Sequence, residues 1–466
     1  MRRIMCALLV ATNGLVIAAR GEDVRPDDPR LERASRSNNQ GWIVVKLVGT
    51  PETVGFQHGY FLSDEIADLL RVLKPFLEHS TRRDWAFYRE VSERMLWPGV
   101  DDEYRREIDG IVAGLKAKGV VADRWDLVAL NANQELPYYY VPWLDRKEGN
   151  TPTTHAPGNC SAFIATGGHT KDGRIVMGHN AWTNYVVGSR WNIVMDITPA
   201  KGARIVMDGL PGVITSDDDF GLSSYGMMVT ETTISQFEGW DPEGKPEFVR
   251  SRKALQYSRS IDEFVSTMLY GNNGGYANDW LVGDNKTGEI ALFELGLKNH
   301  AVKRTGDGAF FGANYPETEK LRLEETRFDP GKTESSPLAR KARWEQLISA
   351  NKGRITVELG KAFETDGFDV VTRSAGHNER TLCGRVEISP RGAPEWDWGP
   401  YYPGGTVQSK VADGAMADSL QFWGQIGHHG SDFIADEFLA KHPEYQWMRG
   451  LLRDMKAHPW TLLGGR

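Results

Sequence analysis

The chain has 466 residues, of which 40% are hydrophobic and 25% are charged. This is the composition of a globular protein long enough to bury a large core. The formal net charge of -8 argues against a basic nucleic-acid-binding surface, so we expect no nucleic-acid partner.

The N-terminal residues have the pattern of an export signal. Arg2 and Arg3 precede a mostly apolar run of small residues from Ile4 to Ala19, which is the order typical of a secretory signal peptide. We therefore expect residues 1–20 to be removed and the mature protein to be secreted or periplasmic. The alternative is an apolar N-terminal helix that is retained. No later apolar run is long enough to span a bilayer, so no stable membrane span is expected.

The stretch from Trp42 to about Leu144 is predicted to be largely helical, because apolar residues recur in it at helical spacing. The helices predicted within it are 66–77, 104–116 and 125–134. Residues 145–158 form a polar loop rich in Gly, Pro, Asn and Thr, where a break in the chain is sterically tolerated. We group residues 40–159 as one helical region.

From Cys160 onward the pattern changes to that of strands. Phe163–Thr166 and 174–177 flank an Asp-Gly turn and are predicted to form an antiparallel hairpin. The other predicted strands are 193–197, 204–207, 227–230, 280–284 and 289–294, with helices at 261–269 and 338–350. Antiparallel strands with interspersed helices predict the α+β class. We assign a core to residues 160–440 and a helical tail to residues 441–466.

Cys160 is the candidate nucleophile, because a thiol stands where the breaker-rich loop meets the first strand. A cysteine needs a lowered pKa or an adjacent base to react. An N-terminal cysteine carries its own base, since its α-amine titrates near about pH 7.7–8.0. Cleavage of the bond between Asn159 and Cys160 creates that amine, so the sequence predicts self-cleavage.

The hairpin places His179 on the strand beside Cys160, within reach of the thiol or of a substrate. The tetrahedral intermediate needs hydrogen-bond donors for its oxyanion, and Asn180 and Asn278 offer side-chain amides. The second cysteine of the mature chain, Cys383, is expected to be a buried free thiol rather than a disulfide partner. Each of these residues also has a purely structural interpretation, and it is their ordered combination that indicates catalysis.

Other catalytic and binding motifs are missing from the sequence. It has no Gly-x-Ser-x-Gly elbow and no phosphate-binding loop. The pair at His428 and His429 lacks the spaced partners of a zinc site, and the acidic run 217–219 is more typical of a turn. We expect neither a metal nor a cofactor.

Five blocks of the sequence together resemble the phospholipase B-like proteins. These blocks are 159–162, 179–185, 210–220, 229–234 and 276–280. That family belongs to the N-terminal nucleophile (Ntn) hydrolases, and penicillin acyltransferases and bile-salt hydrolases are more distantly similar. The resemblance implies a four-layer αββα sandwich with a retained helical propeptide.

The resemblance also implies roles for individual residues. Cys160 is the nucleophile, His179 a catalytic residue beside it, and Asn278 the oxyanion donor. The residues implied in substrate binding are Asn180, Trp182, Glu231, Thr232, Thr233 and Arg385. The implied activity is hydrolysis or transfer of a linear acyl amide, a peptide or a lipid through a thioester.

Other functions remain open at this level. The first is hydrolysis of acyl esters, as the family name suggests, and the second is a secreted binding protein with a silent thiol. A papain-like enzyme that never cleaves itself is disfavoured, because such an enzyme has a helix after its cysteine. The sequence leaves the substrate and the oligomeric state undetermined.

Overall fold

The computed structural model describes residues 28–157, 160–217 and 220–465. Within these residues, seventeen strands form two large sheets and one two-stranded ribbon. The strands are β1 Ser35–Asn39, β2 Trp42–Gly49, β3 Cys160–Gly167, β4 Gly173–Asn184, β5 Ile193–Pro199, β6 Ile205–Gly209, β7 Gly221–Ser223, β8 Met227–Thr233, β9 Asn278–Asp284, β10 Glu289–Leu295, β11 His300–Thr305, β12 Gly308–Gly312, β13 Phe368–Asp369, β14 Ser374–Ala375, β15 Gly404–Asp413, β16 Gln421–Ile426 and β17 Thr461–Gly464.

Helices fill most of the chain between β2 and β3 and many of the connections between later strands. They are α1 Pro51–Phe61, α2 Ser63–Thr81, α3 Trp85–Val91, α4 Asp102–Ala117, α5 Arg124–Asn131, α6 Val141–Lys147, α7 Tyr185–Gly188, α8 Glu247–Tyr257, α9 Ile261–Leu269, α10 Glu319–Glu325, α11 Ser336–Ala350, α12 Val357–Glu364, α13 Gly414–Asp418 and α14 Ala435–Lys441. None of the helices in the described part of the chain combines the length and apolar character needed to cross a membrane. The predicted mixed α+β class is confirmed.

The two large sheets pack against each other. The nine-stranded sheet has the order β1-β2-β5-β6-β7-β8-β9-β10-β11, and the six-stranded sheet has the order β12-β3-β4-β15-β16-β17. Apolar side chains from both sheets meet in one cluster, among them Ile164 and Met177 from the smaller sheet and Val206 and Leu281 from the larger. Because side chains alternate along a strand, each sheet also has a second, outer face.

Helices cover the outer faces. Helices α1, α2, α4, α5, α8 and α9 share an apolar cluster with outward-facing residues of the nine-stranded sheet, such as Met195 and Phe293. Helices α11 and α12 pack Trp344 and Phe363 onto Phe163 of the six-stranded sheet. Burying an apolar surface of this kind is the main favourable contribution to folding.

The predicted hairpin at Cys160 is confirmed. Strands β3 and β4 pair antiparallel, with Cys160 opposite Ala181 and Ala162 opposite His179. The connection turns through Gly173, whose φ of +80° suits glycine and few other residues. The second strand runs past the predicted end, to Asn184.

Two regions differ from the sequence prediction. Trp42–Gly49, assigned to the helical region, is strand β2, which pairs in parallel with β5. Its consecutive β-branched residues, Ile43, Val44 and Val45, favour a strand over a helix. Residues 441–466 are not a helical tail, because they hold only a short 3-10 helix and strand β17, which buries Leu463 between the sheets.

Helix α1 contains a buried histidine that makes the fold sensitive to acid. His58 has no exposed surface, and its Nε2 accepts a hydrogen bond of 2.9 Å from the backbone N–H of Gly212. Burial, helped by the charge of Arg252, lowers the pKa of His58 from 6.5 to about 3. The unfolded chain therefore binds a proton at this site that the folded chain rejects.

We expect this histidine to destabilise the protein below pH 6.5. The free energy of unfolding is unaffected by His58 above that pH and falls by about 1.4 kcal/mol per pH unit between about 6.5 and 3. Glutamine keeps an acceptor for Gly212 but does not titrate, so His58→Gln removes this part of the slope. Urea titrations of both proteins at several pH values measure it. Equal slopes for the two proteins would contradict the prediction.

Candidate active site

Cys160 is the first residue of β3, and its side chain lies in the interior with 2% of its surface exposed. Its backbone carbonyl accepts a 2.6 Å hydrogen bond from Nη1 of Arg340, which α11 carries. The nucleophile candidate is thus held at the start of a strand rather than on a mobile loop. Gly158 and Asn159, and with them the predicted cleavage site, lie outside the described residues.

His179 and Glu231 converge on the thiol. The Cys160 Sγ, a ring nitrogen of His179 and a carboxylate oxygen of Glu231 all lie within 4.8 Å of one another. His179 comes from β4, where pairing with Ala162 places it diagonally across from Cys160 on the same face. Glu231 comes from β8 in the other sheet. The site therefore forms where the two sheets meet.

Burial sets the charges of this cluster. His179 and Glu231 have no exposed surface. Burial lowers the pKa of His179 well below its usual range, and the charge of Lys410 acts in the same direction. Burial also raises the pKa of Glu231 well above its usual range, although hydrogen bonds from Tyr276 and Cys160 oppose this shift. At neutral pH the imidazole of His179 is therefore uncharged, and burial favours the protonated form of the Glu231 carboxyl group beside the thiol.

Asn278 presents an amide that no described residue satisfies. The side chain is fully buried, and neither its nitrogen nor its oxygen has a hydrogen-bond partner in the described part of the chain. Asn278 pairs with Thr233 on β8, which places it diagonal to Glu231 on the same face. Buried polar groups without partners are rare in folded proteins. An unused donor here is available to a ligand or a reaction intermediate.

Thr232 and Thr233 follow Glu231 at the end of β8. Thr233 donates a 3.2 Å hydrogen bond to the Tyr276 hydroxyl, which in turn donates to Glu231 over 3.1 Å. The hydroxyl of Thr232 is buried and has no partner among the described residues. Thr233 and Tyr276 thus orient the Glu231 carboxyl group.

Asn180 and Trp182 lie on the opposite face of β4, because side chains alternate along the strand. The Asn180 amide nitrogen donates to the carbonyls of Glu364 and Leu382 over 2.8 and 3.0 Å. The indole nitrogen of Trp182 also donates to Leu382, over 3.2 Å. Both donors of the Asn180 amide are engaged, whereas the Asn278 amide has no partner among the described residues.

Arg340 contacts the candidate nucleophile Cys160, whereas Arg385 pairs with a different residue. Arg385 bonds to Glu387 over 2.7 Å, and Glu387 in turn accepts from Tyr185. Arg340 is fully buried, and its guanidinium lies 4.5 Å from the centre of the Trp182 ring. Burial lowers its pKa to about 9, so it remains charged at neutral pH. Trp182 thus packs against the arginine that bonds to the Cys160 carbonyl.

The segment before the predicted cut is anchored on both sides. The Thr154 hydroxyl donates to the carbonyl of Pro137 over 2.5 Å, and His155 is 2.5 Å from Asp397. The Ala156 carbonyl accepts from the backbone N–H of Gln236 over 3.2 Å. These contacts hold residues 154–156 against both the helical region and the core.

Known proteins share the part of the chain that holds this cluster. Residues 86–293 match the family model for phospholipase B. Phospholipase B-like protein F of Dictyostelium discoideum is 31% identical over 139 residues, which cover 28% of this chain and 24% of that protein. The putative phospholipase B-like 2 of Bos taurus is 28% identical over 154 residues, covering 29% and 26%. The match thus spans about a quarter of these relatives.

A longer part of the chain is similar to a protein that is described as uncharacterized. An uncharacterized protein of Archaeoglobus fulgidus is 25% identical over 317 residues, 62% of this chain and 48% of its own length. A solved structure of a variant conjugated bile acid hydrolase from Clostridium perfringens covers 58% of this chain and 90% of its own, but with 12% identity and a TM-score of 0.33 it assigns no fold. Residues 86–293, which contain Cys160, His179, Glu231 and Asn278, are therefore similar to the phospholipase B-like proteins.

Proposed function

We propose that this protein is an N-terminal nucleophile hydrolase that frees Cys160 by self-cleavage and then hydrolyses linear acyl amides. The observation that carries the proposal is the buried cluster in which Cys160, His179 and Glu231 lie within 4.8 Å of one another. The order of layers, helices outside two facing sheets, supports an αββα sandwich with residues 40–159 as a retained propeptide. Export through the N-terminal signal is part of the proposal.

Self-cleavage follows from the position of the thiol at the start of β3. The Cys160 sulfur attacks the carbonyl carbon of Asn159, and the thiol proton passes through His179 to the amide nitrogen of Cys160. The carbon–nitrogen bond breaks as the carbon–sulfur bond forms. Water then hydrolyses the thioester, which leaves a carboxylate on Asn159 and a free α-amine and thiol on Cys160.

Turnover repeats this chemistry on a substrate. The α-amine of Cys160 accepts the thiol proton, and the sulfur attacks the acyl carbon. Asn278 donates to the oxyanion, which is the stage at which its free amide gains a partner. The proton returns to the leaving nitrogen, and water releases the acid from the acyl thioester. Arg340 holds the Cys160 backbone while the sulfur changes partners.

Both fragments should stay together after cleavage. The N-terminal fragment contributes β2 to the nine-stranded sheet, where it pairs with β5. Its helices α1, α2, α4 and α5 share the largest apolar cluster with the core. Separation would expose that cluster to water, at a cost of about 25 cal/mol for each Å².

Substrate class is tested with matched amide and ester pairs that share one acyl chain. An amide needs a proton on its leaving nitrogen, and the α-amine supplies one, whereas an ester depends less on that proton. We expect both to pass through the same acyl thioester and therefore to share kcat where deacylation limits the rate. Acid quenching during turnover should add the acyl mass to the peptide that contains Cys160.

The ester alternative is supported by the match of residues 86–293 to the phospholipase B family model. It predicts measurable kcat/KM on lysophospholipid or other acyl esters and none on amides. A cleaved, thiol-active protein with that profile would exclude the amide proposal. A protein that binds these compounds but forms no acyl adduct would exclude both and indicate a binding protein.

A further inference from the structure

We propose that the cluster of Cys160, His179 and Glu231 is also a zinc-binding site, and that bound zinc silences the nucleophile. Thiolate, imidazole and carboxylate are the three ligand types that zinc takes in proteins. Many zinc sites in proteins have three protein ligands and a fourth position that is open to water or a small molecule. Here the three side chains come from β3, β4 and β8 of two sheets, so the site is rigid.

Two of the three donors have electron pairs to offer. Neither ring nitrogen of His179 forms a hydrogen bond of standard geometry with a described residue, although the Glu231 backbone lies close enough to act on it. Oε2 of Glu231 is buried and has no partner in the described part of the chain. Buried polar atoms of this kind are normally satisfied. A cation between them satisfies both at once.

The distances fit a tetrahedral ion after a small adjustment. Zinc bonds of about 2.0–2.3 Å separate neighbouring donors by about 3.5 Å. The three donor atoms lie within 4.8 Å of one another, so rotations of the side chains that bring them together by about 1 Å complete the site. Such shifts lie within the reach of Cys and Glu side chains, which have one and three rotatable bonds.

Charge balance favours a divalent ion here. A thiolate and a carboxylate carry two negative charges, which a zinc ion neutralises within a buried site, so no net charge is left away from water. The nearest cation on the same strand pair, Lys410, is held by Asp208 over 2.9 Å. This ion pair offsets part of the Lys410 charge, so Lys410 does not exclude a metal ion.

Bound zinc inhibits hydrolysis, because the sulfur lone pair that would attack the acyl carbon is bonded to the metal. This consequence rests on the proposed function. In the cleaved protein the α-amine of Cys160 can close a five-membered chelate ring with its own sulfur and fill the fourth position. Zinc would then bind both the sulfur that attacks the acyl carbon and the α-amine that accepts and returns the proton. The effect is reversible, because a chelator removes the ion.

Metal binding is tested on the full chain, without reference to activity. Cobalt replaces zinc as a probe, because a thiolate ligand gives an intense near-ultraviolet charge-transfer band and tetrahedral geometry gives strong visible bands. We expect one cobalt per chain, displaced by one zinc. Cys160→Ser should abolish the charge-transfer band, and Glu231→Gln should weaken binding by about a hundredfold. Cys383→Ser, which changes the other thiol, should leave the spectrum unchanged.

Three outcomes decide the proposal. A band that survives Cys160→Ser but disappears in Cys383→Ser would overturn it, and so would stoichiometric binding that Glu231→Gln leaves unchanged. No binding at micromolar zinc by a folded protein, with folding checked by circular dichroism, would also overturn it. Fragment ratios on gels report self-cleavage separately, so a protein that binds zinc but never cleaves would contradict the proposed function and leave the zinc site standing.

Discussion

Cys160→Ala is expected to give a single uncut chain with no hydrolase activity. Alanine removes the sulfur that attacks the Asn159 carbonyl and the sulfur that carries the acyl group, so both steps lose their nucleophile. Removal of a nucleophile typically lowers kcat by several orders of magnitude, and we expect at least about a thousandfold here. Denaturing gels show the cleavage, and kcat/KM on an acyl amide shows the turnover.

The matched control is the other free cysteine. Cys383 is buried, and burial raises the pKa of its thiol to about 11, so Cys383→Ala should cleave and turn over substrate at nearly the wild-type rate. Cys160→Ser keeps a weaker nucleophile and is expected to cleave slowly. If Cys160→Ala is cut at the same bond, a separate protease makes the cut, and self-cleavage is excluded.

Lys410→Met is expected to destabilise the protein by about 3–5 kcal/mol. Lys410 and Asp208 form an ion pair of 2.9 Å in which neither side chain has exposed surface. Methionine fills the volume but leaves the Asp208 carboxylate buried without its cation. The pair joins β15 to β6 and thus holds together the two sheets that supply His179 and Glu231. Urea unfolding at pH 7 measures the loss.

Two variants separate this explanation from a general packing defect. Lys410→Met combined with Asp208→Asn removes both charges and should recover most of the loss, since replacing a whole buried pair is often nearly neutral. Lys303→Met breaks the more exposed pair with Glu317 and should cost less than about 1 kcal/mol. If the double variant is as unstable as Lys410→Met alone, the cause is lost packing and not the unpaired charge.

The sequence predicts those parts of the site that depend on local pattern. The Asp-Gly turn and the flanking apolar runs identify the hairpin, and the hairpin alone brings His179 beside Cys160. Helix periodicity likewise locates α2 and α4 within the N-terminal region. The β-branched residues of Trp42–Gly49 favour a strand, but its position in the sheet depends on pairing with β5, which lies about 150 residues away.

Contacts between distant elements could not be predicted in the same way. Glu231 was singled out as a substrate-binding residue through family resemblance, yet its contact with the thiol depends on how two sheets pack. Arg340 follows Cys160 by 180 residues and sits among other charged residues of a surface helix, so no local signal distinguishes it. Arg385, which the family resemblance implies in substrate binding, bonds to Glu387, and that substrate-binding role stays a prediction.

The central claim is that Cys160 becomes the N-terminal residue of the working enzyme. The most direct measurement is the intact mass of the purified, denatured protein, with sequencing of the N-terminus of each fragment. We expect two fragments in equal amounts, the larger of which begins with a free amine on Cys160. An intact chain through residues 159 and 160 in a preparation that hydrolyses acyl substrates at full rate would contradict it.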